Sequence, residues 1–237
     1  TQNTIYMYYG NTSAADAQSP TVWDINFSAV WHMQESSGST VADSTSNGQN
    51  GTATNAPVIT AGKIGNARSF TGNVNYVSTL LANGPTLTIS AWATFVSGAG
   101  DDFDILWNRL AGSGPDLFFT GNITDGKKIS LNIWDGNANP FCSTPTSYND
   151  GSYHQYTTII SPADTRLYYD GALCGTAVYR DPTGAFNISS NAGVDWHGNI
   201  DEVRVSNIVR SSAYVAATYK SETDTFNTFG VQELFTP

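Results

Sequence analysis

The chain has 237 residues, with 20 Asp+Glu against 10 Lys+Arg and a net charge of −10. That length suits one β-rich domain or two small ones and forms a core without staples. The acidity argues against nucleic acid or an anionic membrane surface as partner, and no apolar run approaches the roughly 20 residues that span a bilayer.

Only 13% of residues are charged and 12% are aromatic, against roughly 25% charged in an average soluble domain. Ser, Thr and Asn fill the polar positions, and Glu occurs only at 35, 202, 222 and 233. Such a chain is poor in helix-surface residues and rich in aromatics, so strands and loops of an extracellular protein are expected and disorder is not. The start carries no signal-peptide pattern, as expected for a mature chain or an excised fragment.

In chain order, β-type runs at Thr4–Tyr9, Ala29–Gln34, Ala67–Phe70, Tyr76–Thr79 and Thr86–Phe95 predict strands. They continue at Phe103–Arg109, Asp116–Thr120, Lys128–Trp134, His154–Ile160, Thr165–Tyr169, Leu173–Tyr179, Gly198–Val205 and Phe226–Leu234. Asp-Gly pairs at 125, 135, 150 and 170 supply the positive φ values of hairpin turns. Ser211 or Ser212 caps one short helix, with Tyr214, Val215, Thr218 and Tyr219 on one side. Glu35–Asn55 lacks apolar periodicity and reads as a long loop between two strands. The expected fold is all-β, a two-sheet antiparallel sandwich with one helix near the C-terminus. It is expected to form one domain over 1–237, with 1–20 an N-terminal strand and linker derived from a preceding domain or paired with the C-terminal strand. The two cysteines, Cys142 and Cys174, suggest a disulfide in this composition; the alternative is a pair of buried thiols.

Four ordered segments carry a family resemblance: AVWHMQE at 29–35 with VADSTSNGQNGT at 41–52; GKIGNARSFTGNVNYV at 62–77 with LTISAWATF at 87–95; GSYHQYTTIISPADTRLYYDGALCGTA at 151–177; and GNIDEVRVSNIVRSSAYVAATY at 198–219. Together they resemble the concanavalin A-like lectin/glucanase superfamily in its bacterial laminin-G-like (LamG) jelly-roll branch. TIYMYYGN at 4–11 resembles the end of a domain that precedes such modules in bacterial surface proteins. The resemblance implies two sheets face to face, one concave, but no single activity.

Asp43 opens a loop of small polar residues through Gly51, a composition that lets carboxylate, amide and carbonyl oxygens converge on calcium. The resemblance adds Asp201, and the expected structural calcium site is Asp43, Asn47, Asn50 and Asp201. The competing reading makes Asp43 an ordinary turn cap and pairs Asp201 with Arg204 or Arg68. Asp101, Asp102 and Asp104 read as a solvated loop, with a rim calcium as the alternative.

Trp31 and Trp92 lie in apolar strands and read as core, whereas Trp107 and Trp134 alternate with polar neighbours near strand ends. The expected ligand-binding set is Trp134, Asn137, Asn139, Trp107 and Asp102, with Trp196 beside them, offering aromatic faces and amides to a sugar. The competing reading has these tryptophans covering hydrophobic edges and binding nothing.

A glycosidase needs two close carboxylates. The Glu-x-Asp-x-Glu strand motif of the superfamily's glucanases is absent, and Asp201 and Glu202, adjacent on a strand, are expected on opposite faces. His32, His154 and His197 match no metal or nucleophile motif, although a Tyr153-His154 pair leaves a lyase open. The expected function is therefore a non-catalytic carbohydrate-binding or adhesion module of a secreted or cell-surface multidomain protein, which the resemblance implies is bacterial. Its partner would be a glycan or cell-surface ligand. The alternatives are a structural spacer of a surface adhesin and a polysaccharide-degrading enzyme.

Overall fold

A computed structural model describes residues 13, 19–55, 57–71, 75–82, 84–95, 106–107, 116–122, 128–134, 140–143, 150–179, 185–189 and 196–225. The expected strands Thr4–Tyr9 and Phe226–Leu234 lie outside them.

The described chain is mostly strand, arranged as β1 (Phe27–Trp31), β2 (Thr40–Val41), β3 (Gly51–Thr54), β4 (Val58–Ala61), β5 (Asn66–Thr71), β6 (Tyr76–Ala82), β7 (Leu87–Ala93) and β8 (Leu106–Trp107). There follow β9 (Asp116–Asn122), β10 (Lys128–Trp134), β11 (Pro140–Ser143), β12 (His154–Ser161), β13 (Asp164–Tyr169), β14 (Ala172–Ala177), β15 (Ala185–Ile188) and β16 (His197–Ser206). One helix, α1, spans Ser212–Glu222. The first sheet runs β14-β13-β12-β7-β16-β5-β4, with β1 also on β16. The opposing sheet runs β2-β3-β6-β15-β8, and a third ladder, β11-β10-β9, has β9 beside β8 and β11 beside β14.

Alternation explains the layers. On β7, Leu87, Ile89 and Ala91 turn inward with Tyr156 and Ile160 of β12 and Leu167 of β13. They meet Val41, Ala53, Val77 and Ile188 of the opposing sheet in one core, together with Trp31 and Trp196. At about 25 cal/mol per Å² of apolar surface, each fully buried aromatic or branched side chain adds roughly 1.5–3 kcal/mol. The Asp170-Gly171 turn has φ values of 50° and 75°, as a tight hairpin between β13 and β14 requires. Gly171 has a second reason: a Cβ there would stand 2.8 Å from the Cβ of Tyr219.

Glu35–Asn55 is not one loop. It contains β2 and β3, where Val41 and Ala53 are buried beside exposed Thr40 and Thr52, too short an alternation to stand out in sequence. The helix begins where expected: Ser211 Oγ accepts from Tyr214 N at 3.1 Å. Cys174 on β14 is disulfide-bonded, and the other cysteine of the chain, Cys142, is on β11, which lies alongside β14.

Candidate functional site

The outer side of the second layer is a cross-strand polar row. Register pairs Thr40 with Thr52, Thr52 with Ser78, Ser78 with Asn187, and Asn187 with Trp107. Directly paired residues share a face. The adjacent row, Ala53–Val77–Ile188, is buried, which assigns the polar row to the outside. Thr40 and Thr52 are exposed, and Ser78 and Asn187 are partly so. Tyr76 and Leu80 share the outward side of β6, and Leu80 is 89% exposed.

The β9–β10 ladder continues the pattern. Positions 128, 130, 132 and 134 pair with 122, 120, 118 and 116. That side reads Lys, Ser, Asn, Trp against Asn, Thr, Phe, Asp, and the alternate side reads Ile129, Leu131, Ile133 against Gly121, Phe119, Leu117. Trp107 and Trp134 thus occupy strand positions, on β8 and β10, while Asn137, Asn139 and Asp102 lie outside the described residues.

Trp196 does not join them. It is fully buried, its indole N–H donates to Thr94 O at 2.9 Å, and Phe95 meets it edge-on at 5.3 Å. Its polar flanks in sequence concealed a core residue. It offers no face to a ligand.

The residues expected to hold calcium fall into two places, Asp43, Asn47 and Asn50 in one loop and Asp201 on β16. Asp43 Oδ1 accepts from Val30 N and Thr45 N, at 3.0 and 2.9 Å. Its Oδ2 accepts from Thr45 Oγ1 and Gln49 N, at 2.8 and 2.9 Å. Asn50 Oδ1 accepts from Asp43 N, and Asn47 Nδ2 donates to Phe27 O. Four donors take up the Asp43 oxygens and close the loop by hydrogen bonds. Asp201 serves a different loop: Oδ2 accepts from Ile64 N at 2.9 Å, while Oδ1 is buried without a partner. Burial pushes its pKa up to about 7. Among the described residues no group of three His, Cys, Asp or Glu converges as metal ligands do.

The outer face of the first sheet carries a polar network that sequence reading missed. Pairing of β16 with β7 shifts register between Asp201 and Arg204, and Glu202 takes a φ of 51°. This bulge turns Glu202 toward Arg204, at 2.7 Å, so the two adjacent acids do not take the simple opposite-face alternation. Burial opposes ionisation of Glu202, but the hydrogen bond from His32 and the charge of Arg204 outweigh it and hold its pKa below the usual glutamate value. Arg204 also pairs with Glu222 of α1, whose Oε2 accepts from Trp92 Nε1 at 2.6 Å and Gln155 Nε2 at 2.8 Å. Tyr219 stacks on Trp92, and Val215 packs on Ile159 and Tyr168. The helix therefore seals this face. No sequence motif joins positions 32, 92, 155, 204 and 222; only the register does.

Ser44, His32 and Glu202 stand in the order of a hydrolase relay, with His32 Nε2 3.0 Å from Ser44 Oγ and Nδ1 2.6 Å from Glu202. However, Ser44 Oγ also accepts the indole N–H of Trp23 at 2.8 Å, and the Ser44 backbone N–H is spent on Val30 O. The hydroxyl is fixed between two rings, a structural tie of the N-terminal segment.

The described residues include no helix long and apolar enough to cross a membrane. Comparison with curated proteins finds no significant match. Among solved structures, domain 4 of AbnA, an extracellular arabinanase from Geobacillus stearothermophilus in complex with arabinotriose, is similar at a TM-score of 0.64 and 16% identity, covering 81% of this chain and 97% of that one. Trypanosoma rangeli sialidase in complex with sialic acid is similar at 0.66 and 16%, covering 88% of this chain but 35% of that one. The binding domain of Paraclostridial Mosquitocidal Protein 1 is similar at 0.62 and 13%, covering 83% and 52%. At these identities the likeness is one of fold. A laminin-G-type family model matches residues 73–216, more than half of the chain, and the chain belongs to the concanavalin A-like lectin/glucanase superfamily.

Proposed function

We propose that this chain is a non-catalytic carbohydrate-binding module of a secreted or surface-displayed multidomain protein, forming a single sandwich unit. The observation that carries this reading is the outward row Thr40–Thr52–Ser78–Asn187–Trp107. Hydroxyls and an amide, which match sugar hydroxyls, lead to an aromatic position, which suits the apolar face of a pyranose or furanose. The arabinotriose complex of the similar arabinanase domain lends support to a sugar ligand.

The absence of catalysis is supported by chemistry of the same face. The five strands that the row crosses contain no Asp or Glu, and glycoside hydrolysis uses two such residues. Asp201 and Glu202 lie on the other sheet, tied to Ile64 N and Arg204.

The test is a broad glycan array with the intact chain, followed by titration of the best ligand. Binding in the micromolar to millimolar range, ordinary for a small polar ligand, that falls at least about tenfold in Trp107→Ala, about 1.4 kcal/mol, supports the reading. A blank array with folded protein would overturn it in favour of a spacer or protein-binding module.

A further inference from the structure

We infer that the ligand of this face is an uncharged oligosaccharide lying across the strands, and that chains bearing carboxylate or sulfate groups are excluded. This rests on the sugar-binding reading above and adds its specificity.

The row has length but no charge. It crosses the five strands β2-β3-β6-β15-β8, four inter-strand spacings of about 4.8 Å, or roughly 19 Å. That is several sugar units, more than one ring can use. None of its five residues is Asp, Glu, Lys, Arg or His, nor are the adjoining Thr54, Tyr76 and Leu80. An anionic sugar is recognised through Arg or Lys, which match its planar charge. Here the described arginines are already committed: Arg68 to Glu35 at 3.2 Å, Arg166 to Asp164 at 3.2 Å, Arg204 to Glu202 at 2.7 Å and Arg210 to Asp24 at 2.7 Å. None of the four is on a strand of this layer; Arg68 reaches Thr40 O at 3.2 Å but is only 1% exposed, out of a ligand's reach.

The five strands that the row crosses contain no Lys or Arg. The net charge of −10 adds a long-range barrier that salt screens. A carboxylate laid on this face would lose its water without gaining a counter-charge.

The test uses matched pairs of oligosaccharides, neutral and acidic, of equal length: arabino-, xylo- and gluco-oligosaccharides against uronate-containing, sialylated and sulfated ones. They are titrated into the intact chain and into Ser78→Lys. Binding of a neutral chain at least about tenfold tighter than its acidic counterpart, with the gap narrowing as salt is raised and in Ser78→Lys, supports the inference. Equal or tighter binding of the acidic chain, or a gap that Ser78→Lys leaves unchanged, overturns the specificity while leaving sugar binding intact. Failure of every oligosaccharide to bind overturns the underlying reading instead.

Discussion

Glu222 is the last residue of α1, yet it gathers three partners from the first sheet. Replacing it with Ala strands the indole N–H of Trp92, 2.6 Å away, and the amide of Gln155, 2.8 Å away, in residues each 2% exposed. It also removes one of the two carboxylates that face Arg204. A stranded buried donor costs about 1–3 kcal/mol, and removing one member of a buried ion pair costs about 3–5 kcal/mol in all. The expected loss is about 3–5 kcal/mol. Glu222→Gln keeps an acceptor near Trp92 and is expected to cost less, about 1–2 kcal/mol. In a domain of this size the alanine variant should melt roughly 10 °C lower. Guanidinium denaturation of the wild type and both variants measures the differences, and Trp fluorescence reports on Trp92. A loss below about 1 kcal/mol in Glu222→Ala would refute the reasoning, because it would mean that the helix end frays and that water already serves these donors.

Trp196→Ala is expected to cost about 3–5 kcal/mol through the cavity it leaves in the core, with glycan affinity unchanged where the fold persists; calorimetry with titration checks both. His154 lies between Asp170, 2.8 Å from Nδ1, and Asp150, 3.2 Å from Nε2. Burial lowers its pKa, but the hydrogen bond and charge of Asp170, then those of Asp150, outweigh it and raise the pKa above 6.5. The folded state holds this proton more tightly, so the stabilisation is full below pH 6.5 and is lost as pH rises through the higher folded value. Denaturation from pH 6 upward should show that decline and His154→Asn should flatten it. Calcium against chelator tests the loop at Asp43: with both carboxylate oxygens taken by four donors, the melting temperature should not move, and a rise of several degrees with calcium would show that an ion holds the loop.

Much of the sandwich was legible because its strands alternate strongly. β10 was expected over Lys128–Trp134 and occurs there, and β12 and β13 deviate by one residue. β2, β3, β4, β11 and β15 were not visible, since runs of two to four residues carry too little period-two signal and are strands only through their partners. Trp107 and Trp134 stand out in sequence because polar neighbours alternate with them. Trp196 has similar neighbours but is buried, a difference set by the contact of β16 with the segment after β7. The row that joins Thr52, Ser78 and Asn187 to Trp107 spans residues 52 to 187 and exists only in the register. The Arg204–Glu222 clamp likewise depends on a bulge at Glu202, which the pair Asp-Glu in a strand does not announce.

The most direct measurement is a crystal structure of the intact chain with the oligosaccharide that the array selects. The account predicts sugar rings lying across β6 and β15, hydrogen-bonded to Ser78 and Asn187, with one ring against Trp107. A ligand seated instead on the end loops or on the helix-covered face of the first sheet would contradict it.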